Sequence, residues 1–340
     1  MSDKPLKTVY FLGAGASKAS DFHLPVMKEF FEKEDLSEKN FSNLREFIRK
    51  VRPYSDVETV DLEDIITYLD LSLEDLGSNW QQERTLEQKA RQELYAYITK
   101  RLSPCKNYPY LSQSHLKLAQ TLKDSDSVLT LNYDLIMDFA IMLREKGTSL
   151  RRWDEMLVRS YGLLGDVHLA SGFERPTQYH KDVGKGLYIK LHGCINWCYC
   201  PNPLCGYHQS IFPNPFSPNA RMLAAPCGRC GTPLGLVIIP PTMRKSLEKF
   251  PKLGYLWNLA FRELKKADRL VFWGVSLRQS DYLLRWLIRE SMMGKEKSRE
   301  LIIINLELEK ERLEKELGEL TEPKKIRWYS DITKFFDVEL

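Results

Sequence analysis

Six cysteines of this 340-residue chain lie between residues 194 and 230, and four of them have the spacing of metal ligands. Cys200 and Cys205 form one pair, Cys227 and Cys230 form a second, and a loop separates the pairs. Two thiolate pairs at such spacings are typical of a tetrahedral zinc site, and the C-G-R-C-G turn has the form of a zinc knuckle. Because four protein ligands leave no open position, we predict a structural rather than a catalytic zinc ion.

Alternatives for this cluster stay open at the level of sequence. Cys198 could replace Cys200, although a C-x-C ligand pair is less usual. His208 is a weaker rival ligand in the same region. The thiols could also be free and buried, but clustering of this kind favours a metal over disulfides in a cytosolic chain.

A histidine and an asparagine are candidates for catalysis. His192 ends an apolar run within KLHGCINWCYCP, residues 190 to 201, and Asn132 follows the apolar run SVLTL. An imidazole can exchange a proton near neutral pH. Each residue also has a simpler interpretation, since a histidine at a strand end is often a hydrogen-bonded core residue and an asparagine before a helix is often its N-cap.

Small or polar residues follow five predicted strands. Strand-like and helix-like segments alternate along much of the chain, which predicts an α/β fold with a Rossmann-like parallel sheet and helices on both faces. The ends of parallel strands share one edge, where open α/β folds bind ligands. We therefore predict a nucleotide groove, although ordinary turns favour the same residue types. The five strand ends carry Gly13-Ala14-Gly15, Asn132-Tyr133-Asp134, His192-Gly193, Gly274-Val275-Ser276 and Asn305.

The glycine turn after the first predicted strand disfavours two common nucleotide-binding classes. Gly13 and Gly15 of GAGASK match the dinucleotide fingerprint, but Lys18 stands where the third glycine should be. No strand ending in an acidic residue follows about twenty positions later, as a dehydrogenase requires. No GK[ST] completes a P-loop. A helix beginning at this turn would still offer unpaired N–H groups to a phosphate.

The predicted elements divide the chain into a core, a helical insertion and a metal module. A helix is predicted through VMKEFFEKE, residues 26 to 34, and Gly147 is a plausible C-cap of the helix that begins after Asp134. Residues 148 to 185 are hard to assign. We predict one domain with a core at 1–25, 126–193 and 232–340, a helical insertion at 26–125 and a zinc-binding module at 194–231.

The predicted strands are short, and amphipathic helical patterns connect most of them. Within the insertion, apolar residues recur on one helix face, as in Ile65, Ile66, Leu69 and Leu73, and again in Leu86, Ala90, Leu94 and Ile98. Strands are predicted at 7–12, 127–131, 186–191, 234–241, 269–273, 300–307 and 325–330, and the later helices at 252–267, 280–293 and 308–320.

The overall composition bears on which classes of partner the protein could bind and on where in the cell it is located. The net charge of +4 is slight for this length, and Lys and Arg are spread over the chain, so nucleic acid is not indicated as a partner. No apolar run approaches the length of a membrane span. The N-terminus lacks the basic, apolar and cleavage pattern of a signal peptide. We expect a cytoplasmic protein without a membrane partner.

The ordered motifs GAGAS, TLNYD, KLHGCINW, the paired cysteines, GVS and INLE resemble those of the sirtuin family from residue 8 to about residue 306. Two sirtuin deacylase features are missing. Only Leu24-Pro25 survives of the G-I-P-D-F-R loop, and IIPPTMRKS stands where an F-G-E segment should help to hold the acyl-peptide. The chain looks more like the prokaryotic sirtuin-like proteins, many of which consume NAD⁺ in antiphage defence, and the helical insertion fits that branch.

The resemblance implies a role for each matching residue. Asn132 would orient the nicotinamide ribose and a water, and His192 would be the general base acting on the ribose hydroxyls. Asp134 would contact the nicotinamide carboxamide. Gly13, Ala14, Gly15 and Ser17 would hold the pyrophosphate and adjacent ribose, Gly274 and Ser276 would line the groove, and Asn305 would bind the adenosine ribose.

The resemblance also implies an activity. We expect an NAD⁺ glycohydrolase that releases nicotinamide and ADP-ribose, takes NAD⁺ as its substrate and holds a structural Zn²⁺. Because a free-running NADase would kill its own cell, we expect regulation by homo-oligomer assembly or by a partner protein. An NAD-dependent protein deacylase and a non-catalytic module that binds NAD or ADP-ribose stay open as alternatives.

Overall fold

The chain is organised around a six-stranded sheet in which every neighbouring pair of strands is parallel. The computed structural model describes residues 6–75, 85–103, 110–143, 186–208, 211–213, 226–239, 247, 250–293 and 299–339. Its strands are β1 (Thr8–Leu12), β2 (Ser127–Thr130), β3 (Tyr188–Lys190), β4 (Gly193–Tyr199), β5 (Phe212–Pro213), β6 (Gly235–Ile238), β7 (Arg269–Trp273), β8 (Glu300–Ile304) and β9 (Lys325–Tyr329).

The order β3-β2-β1-β7-β8-β9 makes this a doubly wound sheet. The chain builds outward from β1 on one side and from β7 on the other. Strand order therefore reverses between β1 and β7, which is where open α/β sheets form a crevice for ligands. The predicted α/β fold with a parallel sheet is confirmed.

Helices cover both faces of the sheet because the strands are apolar on both faces. Along β7, Leu270 and Phe272 belong to one buried cluster, while Val271 and Trp273 belong to the other. Such strands suit a parallel sheet with helices on both sides. The helices are α1 (Ala14–Lys18), α2 (Lys33–Ser37), α3 (Ser42–Val51), α4 (Leu62–Asp70), α5 (Thr85–Arg101), α6 (Gln113–Thr121), α7 (Ile136–Leu143), α8 (Pro251–Lys266), α9 (Tyr282–Met292), α10 (Lys310–Thr321) and α11 (Ile332–Glu339).

The region predicted as a helical insertion contains helices α2 to α6 and no strand over residues 26–75, 85–103 and 110–125, the parts of it that the structure describes. The predicted apolar faces are buried at Ile65, Leu69, Leu94 and Ile98. The division of the chain into core, insertion and metal module stays a prediction. Residues 148–185, Cys105 and the predicted cap Gly147 lie outside the described residues.

The helix predicted through VMKEFFEKE is wrong. The segment forms a 3-10 turn at Met27–Glu29, and α2 begins only at Lys33. Phe30 and Phe31 are both buried between these elements. The N–H of Glu32 donates to the Tyr97 hydroxyl at 2.9 Å instead of to a helical carbonyl, which favours an extended residue at this point.

The sequence also did not reveal a second, antiparallel sheet. Its order is β5-β4-β6, and β4 was expected to be loop within the metal module. Every residue of β4 is buried, so this strand lacks the alternation of apolar and polar residues that marks a half-exposed strand. The strand predicted at 234–241 is β6, and it pairs with β4 rather than with the parallel sheet.

No helix of the described residues is long and apolar enough to cross a membrane.

Glycine is required where the turn after β1 packs against the turn after β7. Gly274 follows β7 with φ +64°, and a Cβ there would lie 2.0 Å from the Ala16 nitrogen. A Cβ on Gly13 would lie 2.5 Å from the Gly274 oxygen. These glycines allow the turns after β1 and β7 to touch, backbone against backbone.

We predict that Gly274→Ala lowers the free energy of unfolding by more than about 2 kcal/mol, because the new methyl combines positive-φ strain with a backbone clash. Gly254→Ala in α8 is the control, since a Cβ at Gly254 meets nothing within 4 Å. That variant should be neutral or more stable by about 0.5–1 kcal/mol. Urea unfolding measures both, and equal stabilities of the two variants would contradict this account.

Candidate functional site

The parallel register brings the five polar strand ends to one edge of the sheet. Leu12 of β1 is in register with Thr130 of β2 and with Trp273 of β7, and Thr130 is in register with Lys190. The turns that follow these strands therefore start at the same height. The edge carries Gly13, Asn132, His192, Gly274 and Asn305, as predicted.

A chain of hydrogen bonds connects the turns after β1 and β2. The Asn132 side-chain amide donates to the Gly13 carbonyl oxygen at 2.9 Å and to the Ser17 hydroxyl at 2.8 Å. The Ser17 hydroxyl in turn donates to Asp134 Oδ2 at 2.6 Å. The carbonyl can only accept, which fixes the amide with its nitrogen toward Gly13. Both amide hydrogens are thus committed to the protein, and Oδ1 is the atom of Asn132 suited to accept a hydrogen bond from a ligand hydroxyl or a water.

Asp134 is fixed from two further directions. Its Oδ1 accepts the Ile136 N–H at 3.0 Å at the start of α7, and its carbonyl oxygen accepts from Lys190 Nζ at 2.5 Å. The Lys190 ammonium is fully buried and also pairs with Asp138 at 2.9 Å. Burial alone would lower the pKa of Lys190, but the neighbouring Asp138 carboxylate raises it above its ordinary value, so the lysine stays charged beneath the turn.

A pocket opens beside this hydrogen-bond chain. It encloses about 370 Å³, including space open to solvent. Most of the lining is apolar and includes Met27, Phe30 and Leu102 of the predicted insertion, while the polar side chains come from the segments that follow β1 and β2. The lining residues are Ala14, Ser17, Leu24, Pro25, Met27, Phe30, Leu102, Leu131, Asn132, Tyr133 and Asp134.

His192 is buried next to this pocket rather than in its wall. The His192 ring stacks on Trp257, with 6.1 Å between ring centroids and a 20° interplanar angle. On another side, Tyr133, which lines the pocket, has its ring centroid 6.5 Å from that of His192. His192 Nε2 lies 3.3 Å from a carboxylate oxygen of Asp281. The structure thus brings Asn132 and Asp134 directly together and places His192 one aromatic ring away.

The glycine turn uses its N–H groups within the protein, contrary to the expectation of unpaired donors. The N–H groups of Gly13 and Gly15 donate to the carbonyl oxygens of Trp273 and Gly274, at 3.0 and 2.9 Å. The N–H of Ala16 donates to the Gly13 oxygen. The physical reason is the contact between the two turns, which places carbonyls of one within reach of donors of the other.

Side chains from elsewhere in the chain donate hydrogen bonds to successive backbone carbonyls of the loop after β7. Asn305 donates to the Val275 oxygen at 3.0 Å and Arg312 to the Ser276 oxygen at 2.9 Å. Asn305 Oδ1 also accepts the Leu306 N–H. Asn305, the predicted ribose contact, and Ser276, a predicted groove residue, therefore both lie at this edge, and the Asn305 amide also holds the loop.

An arginine in the same loop contacts the helical insertion. Arg278 donates to Asp61 at 2.7 Å and to Glu63 at 2.5 Å, and all three side chains are largely buried. Asp61 is also the N-cap of α4. The insertion is thus joined to the ligand edge through paired charges, which no sequence pattern predicted because the partners lie more than 200 positions apart.

The four predicted ligands do form one cluster. The Sγ atoms of Cys200, Cys205, Cys227 and Cys230 all lie within 4.8 Å of one another. Two of the distances are 3.5 Å, for Cys200 to Cys230, and 3.9 Å, for Cys205 to Cys227. Tetrahedral zinc with Zn–S bonds of about 2.3 Å requires sulfurs about 3.8 Å apart, so the cluster fits structural zinc.

The alternative ligands lie elsewhere. Cys198 is buried within β4, opposite Leu236, and is not a member of the four-sulfur cluster. His208 Nδ1 lies 3.1 Å from the Cys200 carbonyl oxygen, so the ring contacts backbone. Among the described residues the cluster therefore contains Cys200 and not Cys198, and the assignment of the ligands stays a prediction.

Strands β4 and β6 connect the cysteine cluster to the ligand edge. One end of β4 continues into Cys200, and its other end follows His192 directly. At that end the N–H of Ile239 donates to the His192 carbonyl oxygen at 2.9 Å. A metal at the far end would hold these two strands together and so fix the backbone of His192.

Three groups that shape the site were not predicted from the sequence. Lys190 carried a signal, since a charged residue within an apolar strand needs a buried partner. Asp281 stood before an apolar helix and looked like an ordinary N-cap. Arg278 carried no signal.

The chain was compared with family models, curated proteins and solved structures. No family model matches the chain. No curated protein matches it either. A crystal structure of a Sir2 homologue in complex with NAD is similar over 97% of this chain and 86% of its own, with 15% identity and a TM-score of 0.48. A structure that concerns the structural basis of sirtuin substrate affinity is similar over 96% of this chain and 90% of its own, with 14% identity and a TM-score of 0.46. A structure of a mutant Sir2 homologue in complex with ADP-ribose is similar over 98% of this chain and 94% of its own, with 15% identity and a TM-score of 0.43.

We predict that the purified protein contains about one zinc per chain, and that Cys227→Ser loses the metal and unfolds at a lower temperature, since a three-thiolate site binds zinc less well. Cys198→Ala is the matched control, because it removes a buried thiol outside the cluster. It should keep its zinc. Elemental analysis and thermal unfolding measure both properties, and a Cys227→Ser variant with full zinc content would contradict the ligand assignment.

We further predict that Arg278→Met lowers the free energy of unfolding by about 1–3 kcal/mol, because it leaves Asp61 and Glu63 without their cation. Arg289→Met is the control, since the Arg289–Glu322 pair is exposed. It should change stability by about 0–1 kcal/mol. If the two variants unfold at the same urea concentration, the contact between loop and insertion does not stabilise the fold.

Proposed function

We propose that this protein is an NAD⁺ glycohydrolase that cleaves NAD⁺ to nicotinamide and ADP-ribose. The observation that carries the proposal is the Asn132–Ser17–Asp134 hydrogen-bond chain beside a largely apolar pocket at the carboxyl ends of β1 and β2. Its motifs resemble those of sirtuins, and the sequence lacks the segment that holds an acyl-peptide in deacylases.

The chemistry asks little of the protein beyond positioning. Nicotinamide leaves as a neutral molecule from a positively charged ring, and the C1 carbon of the ribose develops oxocarbenium character. A water then adds to that carbon and gives its proton to a ribose hydroxyl oxygen, whose own proton passes to the general base. Alignment of the water and of the ribose hydroxyls supplies most of the required rate enhancement.

We assign each step to residues of this chain. Asn132 accepts a hydrogen bond through Oδ1 from the attacking water or a ribose hydroxyl, since its amide hydrogens are held by Gly13 and Ser17. Asp134, which accepts the hydrogen bond of Ser17, receives the carboxamide of nicotinamide. His192 takes the proton from the ribose hydroxyl. Because His192 is buried beside Tyr133, we infer that the Tyr133 ring shifts when NAD⁺ enters.

The remaining assignments follow the motif positions. We propose that Gly13, Ala14, Gly15 and Ser17 hold the pyrophosphate and the adjacent ribose, that Gly274 and Ser276 line the groove, and that Asn305 binds the adenosine ribose. Zinc holds β4 and β6 together and takes no part at the reacting carbon. The site needs only its own side chains and water.

We also propose that the activity is silent until the protein assembles or meets a partner in prokaryotic antiviral defence. The helical insertion supplies Met27, Phe30 and Leu102 to the pocket wall, so a contact on its outer surface can change access to the pocket. We place the activity in the cytoplasm, where a cluster of thiolates suits a reducing compartment.

We predict that Asn132→Ala and His192→Ala each lower NAD⁺ cleavage by about 10²-fold or more, because each removes a group that touches the reacting ribose or its water. Asn132→Asp should be as weak as Asn132→Ala, since a carboxylate oxygen would replace a donor opposite the Gly13 carbonyl. Nicotinamide release, followed over a range of protein concentrations to detect activation by assembly, measures all of them.

Asn43→Ala is the control, because its side-chain amide bonds Glu93 in the insertion. It should retain the activity of the parent protein. Activity that survives in both Asn132→Ala and His192→Ala would overturn the site assignment. An acyl-lysine peptide consumed in step with NAD⁺ would favour the deacylase alternative, and tight ADP-ribose binding without turnover would favour a regulatory module.

A further inference from the structure

A buried carboxylate contacts the histidine of the proposed site. Asp281 Oδ2 lies 3.3 Å from His192 Nε2, and each side chain is only 4% exposed. No motif of the sequence analysis included Asp281. An acid and a histidine that are both removed from water interact strongly, because little solvent screens them.

The position of Asp281 is fixed by the start of α9. Its Oδ1 accepts the Leu284 N–H at 3.3 Å as the N-cap, and its carbonyl oxygen accepts the Arg285 N–H at 3.1 Å. The Arg285 guanidinium in turn donates to the Leu277 oxygen at 2.8 Å, within the same loop. One carboxylate oxygen therefore serves the helix, and the other faces the imidazole.

The imidazole is also held on its flat face. Trp257 stacks on the His192 ring, and the Trp257 indole N–H donates to the Leu191 carbonyl oxygen at 2.9 Å. The ring plane and the carboxylate contact together define the orientation of the imidazole. What the carboxylate adds is a choice of tautomer, because it can only accept a hydrogen bond.

We propose that Asp281 is a positioning residue that holds the neutral His192 imidazole with its proton on Nε2, leaving the lone pair of Nδ1 to take the ribose hydroxyl proton. The proposal rests on the proposed NAD⁺ cleavage. When the imidazole accepts that proton, the ring becomes a cation beside the carboxylate, which stabilises the charged form. A purely structural Asp281 would act as the N-cap alone.

Asp281→Asn separates these two roles. The asparagine carbonyl oxygen can still cap Leu284, so the helix start is kept. Its amide NH₂ would face His192 and can only donate, which favours an imidazole with the proton on Nδ1. This reversal of the tautomer removes the base without removing the ring. Asp281→Ala, in contrast, loses both the cap and the imidazole partner.

Nitrogen NMR of histidine-labelled protein tests the tautomer without any need for activity. The chain has six histidines, and the His192 resonances are assigned by their loss in His192→Gln. We expect the protein itself to show His192 protonated on Nε2 and Asp281→Asn to show it protonated on Nδ1. A parent protein with His192 protonated on Nδ1, or a tautomer unchanged in Asp281→Asn, would overturn the proposal.

Kinetics of the same variants test the consequence. We expect Asp281→Asn to lower kcat by about 10²-fold or more while KM for NAD⁺ stays within about threefold, because the tautomer matters after binding. The double variant His192→Ala/Asp281→Asn should be no slower than His192→Ala alone, since Asp281 acts through His192. A further drop in the double variant would contradict a role through His192. If the parent protein cleaves no NAD⁺ under any condition, the proposed function fails, and the NMR result still decides whether Asp281 sets the tautomer.

Discussion

The hydrogen-bond chain from Asn132 through Ser17 to Asp134 is the interaction on which the site depends. It joins the turn after β1 to the turn after β2 and leaves one amide oxygen for a ligand. These hydrogen bonds form because β1 and β2 are parallel and in register, so that the turns after the two strands begin side by side. The hydrogen-bond chain is directional, since a carbonyl at one end and a carboxylate at the other can only accept. The geometry of the proposed reaction follows from that direction.

Three features of the structure hold this edge of the sheet from different sides. The Lys190 ammonium lies beneath the turn that carries Asp134, and its charge is retained because Asp138 is beside it. Strands β4 and β6 extend from His192 to the cysteine cluster, so metal binding and the His192 backbone are mechanically connected. Arg278 joins the insertion to the loop after β7. The strand-end residues are thus connected both to the four-cysteine cluster and to the helices of residues 26–125.

Much of this arrangement could be predicted from the sequence, because local patterns encode it. Short apolar runs predicted the strands of the parallel sheet. The small or polar residues that follow those strands predicted which side chains lie together at one edge of the sheet. The spacing of Cys200, Cys205, Cys227 and Cys230 was enough to predict which four thiols cluster and that Cys198 does not join them. What stayed hidden depends on distant partners. Strand β4 is buried throughout and has no alternating pattern, Phe30 and Phe31 interrupt a helix through contacts made elsewhere, and Asp281 looks like a cap until His192 is placed beside it.

We propose that water, rather than an acyl-peptide, receives the ribose of NAD⁺. Product analysis with and without an acyl-lysine peptide tests this most directly. Equal amounts of nicotinamide and ADP-ribose, formed at the same rate whether or not the peptide is present, is the predicted result. Nicotinamide that appears only with the peptide, together with O-acyl-ADP-ribose and the free lysine peptide, would contradict the account.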